Sequence, residues 1–322
     1  MELVLKNKYK IQNLSENISL KESIDGIAYT MDINLVESKQ LKDIGINKGD
    51  SIKLYDYEFD SDSNLIKIFD GVIWDINKSR KTKKINLMCK ERTIYIEQSE
   101  DEYIFSEGQT ALQHTKKLCS DWGIPLGVLE NTKVGLAKAV YRKETIFGIM
   151  RKDLKETAQK GGSLYKYRMR DKLDLFEIGS NNAVWKLESI TDDIQEKNSL
   201  QGAVTKVKVL GKQNKDESKS PVIGTYSKDT DKYGTIQKII QDEKIKNYND
   251  AKNKAETMFN NGEDSIKINC VKDINTIRAG DKISLNGVYY YVTDIEHQLG
   301  STRKMNMTTM SWEGVKKKFY GD

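Results

Sequence analysis

A β-hairpin is predicted by the stretch Ile277-Arg278-Ala279-Gly280-Asp281-Lys282-Ile283-Ser284-Leu285-Asn286-Gly287-Val288-Tyr289-Tyr290-Tyr291-Val292-Thr293-Asp294-Ile295-Glu296-His297. Residues 282–285 alternate polar and apolar side chains, and residues 288–295 are rich in aromatic and β-branched side chains. Between them stands Asn286-Gly287, the pair that best tolerates positive φ angles in a two-residue turn. A third strand is predicted at 305–310, after a polar turn.

The same pattern occurs near the N-terminus. Four features recur in the same order: Gly49-Asp50 with Gly280-Asp281, Ile52 and Leu54 with Ile283 and Leu285, Asp75-Ile76 with Asp294-Ile295, and Ile85-Asn86-Leu87 with Met305-Asn306-Met307. Chance is the alternative, because Gly-Asp before an alternating strand is common. Four features in one order favour a small β-barrel or sandwich unit that occurs twice in the chain.

The predicted fold class is α+β and mainly β, with two similar small β-barrel domains, a mixed helical middle domain and an inserted polar lobe. The strand at 203–210 is predicted to begin the second barrel, and 211–232 has too few apolar residues for a core of its own. The predicted boundaries are 1–100 for the first barrel domain, 101–197 for the middle domain, 198–212 with 263–313 for the second barrel domain, 213–262 for the lobe and 314–322 for a C-terminal tail.

Three helices are predicted from apolar residues at helical spacing. Their ranges are 106–122 with Ser106 as the N-cap, 144–160 ended by Gly161-Gly162, and 249–261 with Asp250 as the N-cap. A β-hairpin is predicted after the second helix, with strands at 164–169 and 173–178.

Composition limits the classes of protein. The chain of 322 residues is long enough for two or three domains, and 53 basic against 48 acidic residues give no polybasic signature for nucleic acid. We expect no transmembrane helix and no signal peptide, because long apolar runs are lacking. Three distant cysteines, Cys89, Cys119 and Cys270, suit a reducing cytoplasm without a disulfide framework.

The search for catalytic chemistry finds little. His114 lies five residues before Cys119, a spacing that does not stack the two side chains on one helical face, so we expect a surface histidine. His297 is expected to face a loop or an interface, because no second histidine or cysteine is near it in sequence. Acidic pairs, among them Asp192-Asp193 and Asp242-Glu243, are expected in a chain with 48 acids. We therefore predict no catalytic, cofactor-binding or metal-binding residues, and no enzyme activity.

Three stretches resemble the C-terminal region of XkdQ/YqbQ-like proteins, namely Arg278-Ala279-Gly280-Asp281-Lys282-Ile283, Tyr290-Tyr291-Val292-Thr293-Asp294-Ile295-Glu296-His297 and Met305-Asn306-Met307. These proteins belong to the late-control hub group of contractile phage tails and phage-tail-like bacteriocins. The resemblance implies a homotrimer with a ring of six similar barrels, a symmetry adaptor between the sixfold tail tube and the trimeric spike.

The resemblance also implies the partners and the location. The partners would be the tail tube protein, the spike protein and neighbouring baseplate proteins. From the balanced charge, the lack of long apolar runs and the lack of ligand motifs, we expect no sequence-specific nucleic acid, no membrane insertion and no cofactor. The location would be the baseplate of a virion or tail-like particle assembled in the bacterial cytoplasm. Two alternatives stay open, a cell-wall hydrolase component of the tail tip and a DNA-binding protein. The sequence does not separate an infectious phage from a bacteriocin.

Contacts with partners are expected at strand edges and hairpin tips of the two β-units. The residues predicted for this interface are Tyr55, Phe69, Trp74, Tyr289, Tyr291 and His297.

Overall fold

A computed structural model of the chain describes residues 1–61, 63–212, 219–241, 245 and 247–321. The acidic pair Asp242-Glu243 and residues 213–218 of the predicted lobe lie outside the described residues.

The described residues are mainly in β-strands. The strands are β1 Glu2–Leu5, β2 Tyr9–Lys10, β3 Ser15–Ser23, β4 Thr30–Val36, β5 Ser51–Tyr57, β6 Leu65–Ser79, β7 Lys84–Glu91, β8 Glu100–Phe105, β9 Leu126–Leu129, β10 Ala139–Thr145, β11 Tyr165–Met169, β12 Leu173–Glu177, β13 Thr191–Ser199, β14 Lys206–Leu210, β15 Val222–Ser227, β16 Gln237–Gln241, β17 Glu263–Cys270, β18 Lys282–Leu285, β19 Val288–Leu299 and β20 Arg303–Met310.

Helices connect and cover these strands. They are α1 Lys39–Ile44, α2 Ile94–Gln98, α3 Ala111–Asp121, α4 Ile146–Gln159, α5 Thr230–Tyr233, α6 Tyr248–Met258 and α7 Trp312–Val315, with a 3₁₀ turn at Gln12–Leu14 and a π-helical turn at Lys316–Tyr320. Among the described helices, none is long and apolar enough to cross a membrane.

One large antiparallel sheet holds both β-units. Its strand order is β13-β17-β20-β19-β3-β4-β7-β6-β5-β1-β2, and β18 pairs with β19 beside this path. We call β1 to β7 the first unit and β13 with β17 to β20 the second unit. Over the described residues no sheet closes into a barrel. The strands instead run on from one unit to the next, because β19 pairs with β3, so the two predicted barrels are observed as two parts of one sheet.

Each unit has an apolar core of its own. The core of the first unit contains Leu3, Leu20, Met31 and Leu54, all at most 1% exposed. The second unit is built around Ile268, Ile283, Val292 and Met305, whose exposed fractions are all 0%. Alternation of apolar and polar residues in β4, β5, β7 and β20 places one set of side chains in these cores, as the period of a strand requires.

The middle region packs α3 and α4 together with two small sheets. The predicted hairpin is confirmed as β11 and β12, which pair from Tyr165 opposite Glu177 to Met169 opposite Leu173. The N-cap of α3 is Thr110 and not Ser106, because Thr110 and Gln113 form a reciprocal capping box.

A separate small sheet, in the order β15-β14-β16, packs against α6 around Val207, Val209, Ala251 and Ala255. The strand β14 was predicted to begin the second unit, but it pairs with β15 and β16, and the edge of the second unit is β13. The range 211–232, which was predicted to lack a core of its own, contains β15 and the start of α5. The cap of α6 is Asn247 rather than Asp250, because the Asn247 side chain accepts the Asp250 N–H at 2.9 Å.

Candidate functional site: the seam between two matching β-units

The turn that opens each unit's hairpin is the same to the level of single hydrogen bonds. Gly49 and Gly280 have φ angles of 86° and 94°, a region that favours glycine. Their N–H groups donate to Ile73 O and Val292 O, each at 2.8 Å. The carboxylate of the following aspartate accepts the backbone N–H three residues earlier, at 2.8 Å in both copies. The Gly-Asp pairs seen in the sequence are therefore one turn used twice.

The strand registers repeat as well. In the first unit Ile76 lies opposite Leu87, and in the second unit Ile295 lies opposite Met307. A bulge precedes each pair, at Trp74 in β6 and at Thr293 in β19.

The outer strands follow the same rule, with a matching bulge at the start of β3 and of β13. The corresponding strands of the two units are β3 with β13, β4 with β17, β7 with β20, β6 with β19, and β5 with β18.

The two units meet where the C-terminal half of β19 pairs with β3. Asp294 lies opposite Ser23, Glu296 opposite Lys21, and Gln298 opposite Ser19. On the exposed face, Lys21 bonds Asp32 at 2.9 Å and approaches Glu296 to 3.6 Å. We call this pairing the seam.

Side chains beyond the paired residues also cross from the second unit into the first. Leu299, which is 2% exposed, belongs to the apolar core of the first unit. Arg303 donates two hydrogen bonds, at 2.7 and 2.9 Å, to the fully buried carboxylate of Asp56. These contacts make the seam an internal interface that is partly apolar and partly ionic.

A buried group of charged side chains lies behind the seam. We call Glu22, Glu91, Lys166 and Arg278 the central ionic cluster. Arg278 Nε donates to Glu22 Oε2 at 2.6 Å, and Lys166 Nζ donates to Glu22 Oε1 at 3.3 Å. Arg278 also stacks on the Tyr29 ring, 3.7 Å from its centroid. The cluster therefore ties the first unit, the middle region and the second unit together.

The two carboxylates of the cluster are held in different states. Burial raises the pKa of Glu91 to about 7, and the nearby Glu22 charge adds to this, while the Arg278 guanidinium at 3.9 Å acts in the opposite direction without cancelling them. Burial also acts on Glu22, but Arg278, Lys166 and Arg168 outweigh it and hold the pKa of Glu22 well below its usual range.

Both histidines are buried beside an aspartate. The Nδ1 atom of His297 lies 2.6 Å from Asp273, and its Nε2 lies 2.9 Å from Ile277 O. His114 is also 0% exposed, with Nδ1 2.9 Å from Asp153 and its ring stacked on Phe105 at 3.7 Å. The expected surface position of His114 was wrong, because the inward face of α3 includes this residue. The signal available in the sequence was its place four residues before Leu118 on that helix.

The three cysteines are free and buried. Burial raises the pKa of the Cys119 thiol to about 12 and that of the Cys270 thiol to about 11, so neither is a thiolate near neutral pH. Over the described residues no group of three or more His, Cys, Asp or Glu side chains is arranged to hold a metal ion.

The six residues predicted for partner contacts lie in different environments. Tyr289 is 60% exposed at the tip of the β18–β19 hairpin, and Tyr55, Trp74 and Tyr291 are half-buried. Phe69 and His297 are inside the apolar cores, at 1% and 0% exposed, so a partner would reach them only if the chain opened. The structure does not bring the six together in one patch, and their interface role stays a prediction.

Apart from His297, which pairs with Leu20, the residues of the seam were not singled out from the sequence as contact residues. Glu22 bonds Arg278 and Asp56 bonds Arg303 across more than 240 residues of chain. Leu299 of the second unit likewise lies in the core of the first unit. The sequence held one signal of a contact between the units. The repeated turn has Asn47 in the first copy and the charged Arg278 at the matching place in the second, and Arg278 is the residue that bonds Glu22.

Solved structures of two tail proteins have this fold. A 43 kDa tail protein of prophage MuSo2 from Shewanella oneidensis matches with a TM-score of 0.69 at 12% identity, over 97% of this chain and 98% of that chain. A tail protein from Neisseria meningitidis MC58 matches with a TM-score of 0.65 at 12% identity, over 99% and 97%. The chain therefore shares the fold of these two tail proteins.

The sequence of residues 18–310 matches the family described as YQBQ-like. The chain belongs to the YQBQ-like family. A curated relative is the phage-like element PBSX protein XkdQ of Bacillus subtilis strain 168, 28% identical over 145 residues. That match spans 44% of this chain and 44% of the relative's length.

Proposed function

We propose that this protein is the structural hub of a contractile tail baseplate, where a homotrimer joins the sixfold tail tube to the trimeric spike. The observation that carries the proposal is the repeat of turn, bulge and register in the two units. Three chains with two equivalent units each present six nearly equivalent surfaces to a sixfold tube. The whole trimer keeps the threefold symmetry that a spike requires.

Membership of the YQBQ-like family and the fold shared with phage tail proteins support a place in a tail. The relative in Bacillus subtilis is itself described as part of a phage-like element. In this proposal the partners are the tail tube protein, the spike protein and neighbouring baseplate proteins. The protein is then a component of a virion or tail-like particle, and each unit takes the part of one barrel in the six-membered ring.

The buried chemistry supports a structural rather than a catalytic role. Each histidine is hydrogen-bonded to an aspartate inside a core, and the thiols of Cys119 and Cys270 are held protonated by burial. A nucleophile for hydrolysis of the cell wall would need access to its substrate. We therefore propose that the chain is not an enzyme.

A native mass measurement of the full chain, alone and mixed with the spike protein of the same particle, tests the trimer. We expect three chains of 36.9 kDa, or about 111 kDa, in at least one of these two samples. A monomer in both samples would contradict the proposal. In a peptidoglycan zymogram we expect no cleared band, and clearing by the purified chain would favour the hydrolase alternative.

A further inference from the structure

At the seam, one strand edge of the second unit pairs with one strand edge of the first unit, and each of these edges has a counterpart in the other unit. At the seam, residues Asp294–Gln298 of β19 pair with residues Ser19–Ser23 of β3. The matching segment of the first unit is Asp75–Ser79 of β6, and the segment matching Ser19–Ser23 is Gln195–Ser199 of β13.

These matching edges are open in the single chain. Residues Asp75–Ser79 pair with β7 on one side, and β13 pairs with β17 on one side, with no second strand partner among the described residues. Side chains from Asp192 to Asn198 are exposed, as are Asp75, Asn77, Lys78 and Ser79. An open edge presents unpaired N–H and C=O groups that a further strand can bond.

The two edges lie in one chain but cannot pair with each other, because they form opposite sides of the doubled sheet, with β3, β4 and β7 among the strands between them. A second copy of the chain can supply the missing partner. We propose that Asp75–Ser79 of one copy pairs antiparallel with Gln195–Ser199 of the next copy in the register of the seam. This inference rests on the proposed trimer, in which three such contacts close the ring.

The register follows from the strand correspondence. It places Asp75 opposite Ser199, Ile76 opposite Asn198, Asn77 opposite Lys197, Lys78 opposite Glu196, and Ser79 opposite Gln195. Opposite charges therefore meet at Lys78 and Glu196, and Lys197 is diagonal to Asp75 on the other face. No like charges stand directly opposite each other in this register, and opposite-charge pairs favour strand pairing.

Charge beyond the paired segments is also complementary. The turn after β6 carries Arg80, Lys81 and Lys83, and the start of β13 carries Asp192 and Asp193. At the seam the corresponding turn, residues 300–302, lies beside the start of β3, where a Cβ at Gly300 would be 2.7 Å from Asn17 Oδ1. The same arrangement between copies brings the basic turn of one chain to the acidic start of the next.

A disulfide experiment tests the register. Cysteines opposite each other in an antiparallel pair are at a Cα distance that a disulfide spans. In the double variant Asn77→Cys with Lys197→Cys, mild oxidation of the full chain is expected to give a covalent trimer on a non-reducing gel, lost on reduction. The native cysteines are at most 3% exposed and do not compete.

Two control variants define the result. Lys21→Cys with Glu296→Cys is the matching pair at the seam, and oxidation should form its disulfide within one chain, so that the product stays a single chain on the non-reducing gel. Asn77→Cys with Asn198→Cys is displaced by one residue, which puts the two side chains on opposite faces, and it should give much less cross-linked product.

The outcomes separate this inference from the proposed function. A trimer by native mass without preferential cross-linking of residues 77 and 197 would overturn the pairing and leave the trimer standing. Cross-linked chains longer than a trimer would support the pairing and overturn the closed ring. A monomer without cross-links would overturn both, and the charged edges would then serve only to prevent strand addition.

Discussion

The edge of β19 from Asp294 to Gln298 is covered by β3 of the same chain, whereas the corresponding edge of β6 from Asp75 to Ser79 is open. The covered edge has His297 and Leu299 buried, and the open edge has Lys78 and Arg80 exposed at the matching places. The same strand arrangement therefore carries buried side chains in the second unit and exposed charged side chains in the first unit. The edge with buried side chains suits a permanent internal contact, and the edge with exposed charged side chains suits one that stays soluble until a partner binds.

The largest expected effect is at Glu22 of β3, the strand that covers the edge of β19. Glu22 belongs to the central ionic cluster, and its counterpart Asn198 on β13 is exposed. Glu22→Gln leaves Arg278 and Lys166 buried without their main carboxylate, so we expect a loss of about 4 kcal/mol in the free energy of unfolding. Asn198→Ala should change it by less than about 0.5 kcal/mol. Urea unfolding measures both, and equal effects would refute the distinction between the edges.

The second comparison sets Leu299 against Arg80. Leu299→Ala removes a side chain from the core of the first unit, and we expect it to cost about 3 kcal/mol through lost burial and the cavity left behind. Arg80→Ala removes an exposed side chain at the matching place and should cost less than about 0.5 kcal/mol in the isolated chain. A thermal unfolding series would measure both variants, and a Leu299→Ala protein as stable as the parent would mean that the seam is not tightly packed.

The third comparison sets Glu91 against Ser311, its counterpart after β20. We expect the free energy of unfolding to depend on pH through Glu91 but not through Ser311. Because folding raises the pKa of Glu91 from 4.5 to about 7, its protonated form stabilises the fold fully below about pH 4.5, and this contribution is lost as the pH rises through 7. Glu91→Gln keeps the group neutral, so the variant should gain stability over the parent between pH 5 and 8, by at most about 3 kcal/mol.

Denaturant unfolding at pH 5 and pH 8 checks this prediction, with Ser311→Ala as a variant whose effect should not depend on pH. Glu22 acts in the opposite direction, because its pKa is lowered in the fold and its contribution is lost as the pH falls below 4.5. A Glu91→Gln variant with the same difference from the parent at both pH values would show that Glu91 is ionised throughout.

The smallest expected effect concerns association through the open edges. Lys78→Glu places a like charge opposite Glu196 of the next copy and should weaken each contact by about 0.5–1 kcal/mol, a few-fold in affinity. The double variant Lys78→Glu with Glu196→Lys restores opposite charges and should recover the parent's affinity. Sedimentation equilibrium measures the three proteins. Independent effects of the two substitutions would mean that residues 78 and 196 do not meet.

The local elements of the fold could be predicted from the sequence. Asn286-Gly287 specifies the tight turn, with φ angles of 52° and 78°, and the Gly-Asp pairs mark the repeated turn because only a few local bonds define it. The Gly161 stop of α4 was found in the same way, and Gly161 has a φ of 87°. Helix caps were placed less well, since Thr110 and Asn247 compete with nearby Ser106 and Asp250 as cap residues.

The seam could not be predicted, because no local pattern states which distant strand covers an edge. The pairing of β19 with β3 joins residues more than 250 positions apart, and the alternation of residues in β3 is the same whichever strand lies beside it. The small sheet that contains β14 shows the same limit of sequence-based prediction. Its alternating valines fit either the second unit or a separate sheet, and the contacts with α6 decide in favour of the separate sheet.

The central claim is that two equivalent units per chain form a six-membered ring. An electron-microscopy class average of the assembled protein, viewed along its symmetry axis, tests this claim most directly. We predict six similar densities around a central opening, with a strong sixfold component in the rotational power spectrum. Three densities with the second unit outside the ring would contradict the equivalence of the two units.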